Sequence, residues 1–326
     1  MVELGLDRLP GPDLESGRLV RERARRVLRP EGALDRLDQV AVWVAEWQRT
    51  DQPRIERPVA IVFLADHGVT EEGVSAYPAS VTRAMLAAAG AGVATVSVMT
   101  AALGVELHTV DVGVGEPTGN LRFEPALDAD RFASCVEVGR RVVRDIDADL
   151  LVLGEMGIGN TTAAAALSAS LLGGPVSDWV GPGSGVAEEG MTRKRQVITD
   201  ALARTGPVTP LEALRQLGGA ELAALAGAGV EAHHRSIPVL LDGFVVTAAL
   251  MPVELERPGA LDHCWPGHLS PEPGHGRLLE RLGRPPLLDL GMRLGEASGA
   301  LAALPIVRLA VDSVTRVATF EEWGIS

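Results

Sequence analysis

Apolar positions follow two rhythms along the chain. Largely apolar runs at residues 58–65, 148–153 and 237–244 predict strands of a sheet covered on both faces, and residues 105–112, with Asp111 near the end, read as a further strand. Between them, apolar residues recur at helical spacing. Leu34, Leu37, Val40, Ala41, Val44 and Trp47 repeat at intervals of three and four, predicting a helix over 34–47. The arginine-dense stretch 15–28 predicts an exposed amphipathic helix, ended by Arg29-Pro30-Glu31-Gly32. Further helices are expected from Ser80, over 133–145, over 163–172, around Arg193-Lys194-Arg195, over 211–228 and over 301–311. Strands separated by helices through the middle of the chain give an α/β class, a doubly wound, mainly parallel sheet flanked by helices.

The strongest local pattern is Gly154-Glu155-Met156-Gly157-Ile158-Gly159-Asn160-Thr161-Thr162, between the strand at 148–153 and an alanine-rich helix. A strand, a glycine turn and a helix start make an anion site, because glycine lets backbone N–H groups approach and the helix N-terminus favours negative charge. A carboxylate at Glu155 would repel a bare phosphate. The pattern therefore suggests a ligand with one phosphate and one cationic or proton-donating part; the plain alternative is a tight turn with a solvent-facing acid. A second glycine loop, Trp179-Val180-Gly181-Pro182-Gly183-Ser184-Gly185, precedes Lys194. Strand ends carry Asp66-His67-Gly68 and Asp242-Gly243, where open α/β sheets bind ligands. His67 reads equally as a general base or as a structural imidazole bonded to a carbonyl. Residues 263–275 hold three histidines, but prolines fragment the run and no helical pair forms, so a loop over the site is expected rather than a metal centre.

Composition narrows the classes. The 326 residues are 46% hydrophobic and 22% charged, enough for a large core. A net charge of −13 opposes a nucleic-acid or anionic-membrane surface. Two cysteines without metal spacing fit a reducing, cytoplasmic setting. The first residues lack a basic and an apolar segment, so no signal peptide is expected. Residues 84–105 carry no charge but are rich in alanine and glycine, and read as a buried or subunit-interface helix rather than a span. Lys194 is the single lysine among 30 basic residues, Asn160 is one of two asparagines, and Tyr77 is the single tyrosine. In so depleted a chain, a rare type survives where its substitute fails; an ammonium is compact where a guanidinium is a broad fork.

Taken together, Ala65-Asp66-His67-Gly68-Val69, Gly73-Val74-Ser75-Ala76-Tyr77-Pro78, the 154–162 turn, Asp242-Gly243-Phe244, His268-Leu269-Ser270-Pro271-Glu272-Pro273-Gly274-His275 and Leu294-Gly295-Glu296-Ala297-Ser298-Gly299-Ala300 closely resemble the nicotinate-nucleotide:dimethylbenzimidazole phosphoribosyltransferases. The resemblance runs from about Arg57 to the C-terminus, where Ala318-Thr319-Phe320 also fits. It implies a cytoplasmic homodimer whose residues 1–55 and 300–326 form a small helical part beside an α/β domain over 56–299. It also implies transfer of phosphoribose from nicotinate mononucleotide to a benzimidazole nitrogen, with small-molecule substrates, no cofactor, no metal, and no nucleic-acid or membrane partner. By the resemblance, Glu296 is the base and Glu155 a second acid. Gly157, Gly159, Gly183 and Gly185 lie at the phosphate, and Ser270 and Lys194 near the phosphoribosyl group. Ser75 is implied beside the benzimidazole, and Tyr77, Asn160, Asp242 and Gly295 belong to the same binding set.

Three departures stand out. Arg83 takes the place of a glutamine near the benzimidazole, Pro182-Gly183-Ser184-Gly185 replaces Arg-Gly-Thr-Gly, and the N-terminal Gly-Ser-Leu-Gly stretch is Arg29-Pro30-Glu31-Gly32-Ala33-Leu34. A permanent cation at 83 predicts preference for an acceptor with a hydrogen-bond-accepting edge. The rival reading is a non-catalytic relative acting as nucleotide or azole carrier or sensor, which retention of Glu155 and Glu296 opposes. A generic dinucleotide-binding dehydrogenase would need G-x-G-x-x-G after the first strand, where Ala65-Asp66-His67-Gly68 stands instead.

Overall fold

The computed structural model describes residues 4–183 and 185–325. Ser184 of the second glycine loop lies outside them, as do residues 1–3 and 326. In chain order the elements begin with α1 (Leu14–Ala24), α2 (Asp35–Gln48), β1 (Pro58–Leu64), α3 (Ser80–Gly90), α4 (Thr95–Leu103), β2 (Glu106–Asp111), α5 (Ala129–Asp145) and β3 (Leu150–Met156). They continue with α6 (Asn160–Leu172), α7 (Glu188–Thr205), α8 (Pro210–Leu217), α9 (Ala220–His234), β4 (Val239–Leu241), α10 (Phe244–Glu256), β5 (Cys264–Pro266), α11 (Pro273–Leu282) and α12 (Ser298–Thr315).

All strand pairings are parallel, in the order β2-β1-β3-β4-β5. Alternation divides the strand residues between two cores. Val59, Ile61, Phe63, Leu151, Leu153, Val239 and Leu241 face the layer of α5, α6, α9 and α10. Ala60, Val62, Leu64, Leu150, Val152 and Leu240 face α2 and α12. Both faces are therefore dry, which is why these strands read as unbroken apolar runs. The chain winds outward in both directions from β1 and β3, so the reversal of strand order falls between their carboxyl ends, where such sheets hold ligands.

The chain ends meet: Arg23 Nε donates to Val314 O at 2.9 Å, and an isolated bridge joins Val27 to Thr319. Besides packing on each other, α2 and α12 supply most of the second layer of the sheet.

Several boundaries differ from the periodicity. The run 211–228 is two helices, broken at the tandem glycines Gly218-Gly219, where Gly219 is extended (φ −163°, ψ 171°). The strand expected over 237–244 keeps only Val239–Leu241, and Phe244 already opens α10. Residues 263–275 are not one loop; β5 and the start of α11 lie within them. The uncharged stretch 84–105 bends near Gly92 into two helices. Residues 80–103 are apolar enough to cross a membrane, yet each helix falls well short of the ~20 residues a span needs. This stretch is largely exposed rather than buried, with Val93 and Val98 open to solvent.

Candidate active site

A cavity of about 410 Å³ opens beyond the carboxyl ends of β1, β3 and β4. One side is apolar, formed by Val81 and Met85 of α3, Met156 at the end of β3, and Leu294. The lining also includes the turn at 157–161 with the start of α6, Gly183 and Ser270. Gly159 sits at φ 96°, a left-handed conformation that glycine adopts without strain, and it lets the chain reverse directly into α6.

Glu155 and Glu296 share this cavity. The N–H of Glu296 donates to the carbonyl of Glu155 at 3.0 Å, which locks the loop before α12 onto the end of β3. The loop lies close because β3 carries Gly154 there, with Ala297 packed against it. Glu296 and Ala297 have φ of 57° and 62°, left-handed values rare for residues with side chains. Such strain persists only where surrounding contacts over-determine it.

The two acids differ in setting. Glu155 is buried, and Asn160 Nδ2 donates to its Oε2. Burial holds its carboxyl well above the ordinary range, reinforced by the charges of Glu221 and Asp242. That shift favours the protonated acid and eases its conflict with a nearby phosphate. Burial also raises Glu296, while a backbone N–H bond from Val96 pulls the other way. Its Oε2 is buried without a partner.

Asp242 Oδ1 accepts the N–H groups of Gly299 (2.7 Å) and Ala300 (3.1 Å), pinning the start of α12. Burial raises its carboxyl. His275 is pushed down to about 3 by burial, so it is neutral and its Nδ1 accepts the Ser270 N–H at 2.9 Å. Ser270 Oγ in turn accepts the Glu272 N–H at 3.2 Å, which orients the serine at the wall.

Of the residues singled out from sequence, Ser75, Tyr77, Glu155, Gly157, Gly159, Asn160, Gly183, Asp242, Ser270, Gly295 and Glu296 line the cavity. Three do not. Arg83 is exposed and lies against Gly115; on α3 the wall is formed by Val81 and Met85, one helical turn apart, and Arg83 falls on another face. The acceptor preference expected from Arg83 loses its basis. Lys194 is behind the wall, buried, with Nζ donating to Thr161 Oγ1 (3.1 Å) and to Gly181 O (3.0 Å). Burial lowers its pKa, opposed by Glu272. Gly185 is exposed beyond the cavity. His67 is neither a base at the cavity nor bonded to a carbonyl; it pairs with Glu221 beneath the turn.

Sequence reasoning missed Glu272, His268 and Arg293 in the wall. Glu272 Oε1 accepts the Gly183 N–H at 2.8 Å and so ties the second glycine loop to α11. Its position between two prolines was the available signal. Among the described residues no three His, Cys, Asp or Glu side chains group as a metal site.

The phosphoribosyltransferase family profile matches residues 9–325 of the chain. The nicotinate-nucleotide–dimethylbenzimidazole phosphoribosyltransferase of Methylorubrum extorquens is 47% identical over 310 residues, spanning 94% of this chain and 90% of that protein. The protein of the same name from Novosphingobium aromaticivorans is 45% identical over 99% of this chain and 96% of its own length. The crystal structure of CobT from Thermus thermophilus superposes with a TM-score of 0.92 at 42% identity, covering 96% of this chain and 99% of that one.

Proposed function

The chain belongs to the nicotinate-nucleotide–dimethylbenzimidazole phosphoribosyltransferase family, and from that premise we propose that it moves phosphoribose from nicotinate mononucleotide to a benzimidazole-type nitrogen. The products are nicotinate and an α-ribazole-type phosphate, as in lower-ligand assembly of cobalamin. The observation that carries this reading is Glu296, whose unpartnered, buried Oε2 belongs to a wall of the same cavity as the apolar side and the glycine turn.

The chemistry follows from those parts. The planar azole fits between Val81, Met85, Met156 and Leu294, where burial of its rings is favourable. The donor's phosphate is drawn to the turn at 157–161 and the start of α6. The azole's pyridine-type nitrogen attacks C1′ of the ribose. The C1′–N bond to nicotinate breaks, its electron pair returns to the ring nitrogen, and the pyridinium charge disappears. The leaving group therefore needs no acid. The charge that appears on the azole is relieved when its N–H proton passes to Glu296, a carboxylate whose raised pKa makes it a better base. One displacement on a β-linked donor inverts C1′ and gives the α product. Much of the rate would come from holding the two substrates in line.

The test is nicotinate release from nicotinate mononucleotide that depends on added 5,6-dimethylbenzimidazole. Glu296→Gln should lower turnover by roughly 10² or more while leaving the fold intact. A folded variant with wild-type turnover would remove Glu296 from the reaction. Azole binding without any nicotinate release by the wild type would favour the carrier or sensor reading.

The same reading makes the protein a cytoplasmic homodimer. Two free, buried cysteines suit a reducing compartment. Exposed Val93 between α3 and α4, Val98 on α4 and Leu309 on α12 suit a subunit contact, which sedimentation velocity would check.

A further inference from the structure

Beneath the turn at 157–161, outside the cavity wall, lies an acid–imidazole pair that this chemistry does not use. His67 follows β1, and Glu221 stands in the first turn of α9. Both side chains are fully buried, with Nε2 and Oε1 2.6 Å apart. The break at Gly218-Gly219 delivers Glu221 to this spot. A side chain on Gly219 would crowd both partners, 2.8 Å from Glu221 Oε2 and 3.0 Å from His67 Nε2.

The pair touches the turn directly. A Cβ on Gly157 would lie 2.9 Å from Glu221 Oε1 and 3.2 Å from His67 Nε2. A Cβ on Gly159 would lie 3.4 Å from His67 Cβ and 3.0 Å from Thr70 Cγ2, and the Thr70 hydroxyl donates to His67 O at 2.8 Å. The turn thus rests on His67, Thr70 and Glu221. His67 Nδ1 and Glu221 Oε2 are also buried without partners. Two such atoms are costly in a dry interior, and apolar packing would have filled the space at lower cost.

Resting on the phosphoribosyl-transfer reading above, we propose that the His67–Glu221 pair is a positioning element of this site. It fixes the height of the 157–161 turn against the donor's phosphate. Glu155 is faced by Glu221 from α9, Asp242 beyond β4, Glu296 before α12 and the Asn160 amide from α6. Of these, Asn160 alone favours the anion, and Glu221 is the foremost charge opposing it. Glu221 itself also faces Cys135 of α5. Neither member of the pair lines the cavity, so both act through the turn and through Glu155 rather than on substrate.

The test is steady-state kinetics on the full chain with nicotinate mononucleotide and 5,6-dimethylbenzimidazole, from neutral to alkaline pH. Wild type is compared with Glu221→Gln, His67→Gln and the double variant. Glu221→Gln should raise the KM for nicotinate mononucleotide roughly tenfold, with the azole KM changed less than about twofold. Glu221 also helps to raise the Glu155 carboxyl, so removing its charge should move any limb of the pH profile that Glu155 sets toward lower pH. The double variant should be no worse than the worse single one, the sign of a coupled pair. A part that merely fills space would not move the pH profile. Folded variants with an unchanged donor KM and profile, or with both KM values raised alike, overturn the proposal. If neither Gln variant folds, Gly157→Ala presses on the same pair, and an unchanged donor KM there overturns it. A wild type that releases no nicotinate overturns the phosphoribosyl-transfer reading, and the proposal falls with it.

Discussion

Gly154→Ala tests whether the position of Glu296 is set by one close approach. Gly154 lies in β3 with Ala297 packed on it, and an added methyl would lie 2.6 Å from Ala297 Cβ and 2.7 Å from Ala297 Cα. Ordinary carbon contacts start at about 3.5 Å, so the 295–298 segment must retreat by about 1 Å. It cannot do so freely, because the Glu296 N–H is tied to Glu155 O and the next residues are pinned by Asp242. Overpacking of this kind costs about 1–3 kcal/mol, more than the ~0.5–1 kcal/mol that replacing a strand glycine returns. Near melting that corresponds to a drop in Tm of roughly 2–6 °C in a chain of this size. The larger effect falls on catalysis, since a displacement of about 1 Å in a reacting group can cost about 10² in rate. The assay is kcat for azole-dependent nicotinate release at saturating substrates, beside a thermal melt. Gly276→Ala, in α11 with open space at its Cβ, is the control and should leave kcat unchanged. A Gly154→Ala protein with wild-type kcat would refute the reasoning, showing that the base is placed by something other than this contact.

Other outcomes follow from the same site. Because burial raises Glu296 and the base works as a carboxylate, kcat/KM should fall as pH drops through a value above the ordinary carboxylate range, and Glu296→Gln should abolish that limb. Glu155→Gln should raise Tm more at pH 8 than at pH 5. The sign follows from linkage. A carboxyl raised by the fold adds stability below its unfolded pKa, and that contribution is lost as pH climbs through the raised value, whereas glutamine does not titrate. A difference in Tm independent of pH would show that the fold does not raise Glu155. Arg83→Gln should leave the ranking of azole acceptors unchanged, since Arg83 is outside the cavity wall; a changed ranking would place it in contact with the acceptor.

Much of this was legible in the residues. Unbroken apolar runs could be stable only with both faces covered, which gave the parallel α/β class, and the glycine pattern after β3 gave the turn. Rarity in a depleted chain pointed to Asn160 and Lys194. Asn160 is bonded to Glu155, and Lys194 braces the loop at Gly181. Periodicity was weakest where a helix is apolar all round. The bend near Gly92 has no polar stripe to end its pattern, and α9 beyond the Gly218-Gly219 break is buried almost throughout. The three-residue strands β4 and β5 are likewise too short to show alternation.

The sequence by itself determined the kinds of group available: two acids near glycine turns, strands that could be stable only inside a layered sheet, and a surface too acidic for nucleic acid. Tertiary structure decided which groups meet. Arg83 was excluded from the wall by its angle around α3, since residues two positions apart on a helix point about 200° from each other. Lys194 went behind the wall because its ammonium found Thr161 and Gly181. The Glu155 carboxyl is raised because a dry interior and three other acids surround it, a sum over residues far apart in the chain. Local pattern fixes chemistry and backbone shape, while charge state and direction depend on neighbours that only the folded chain brings together.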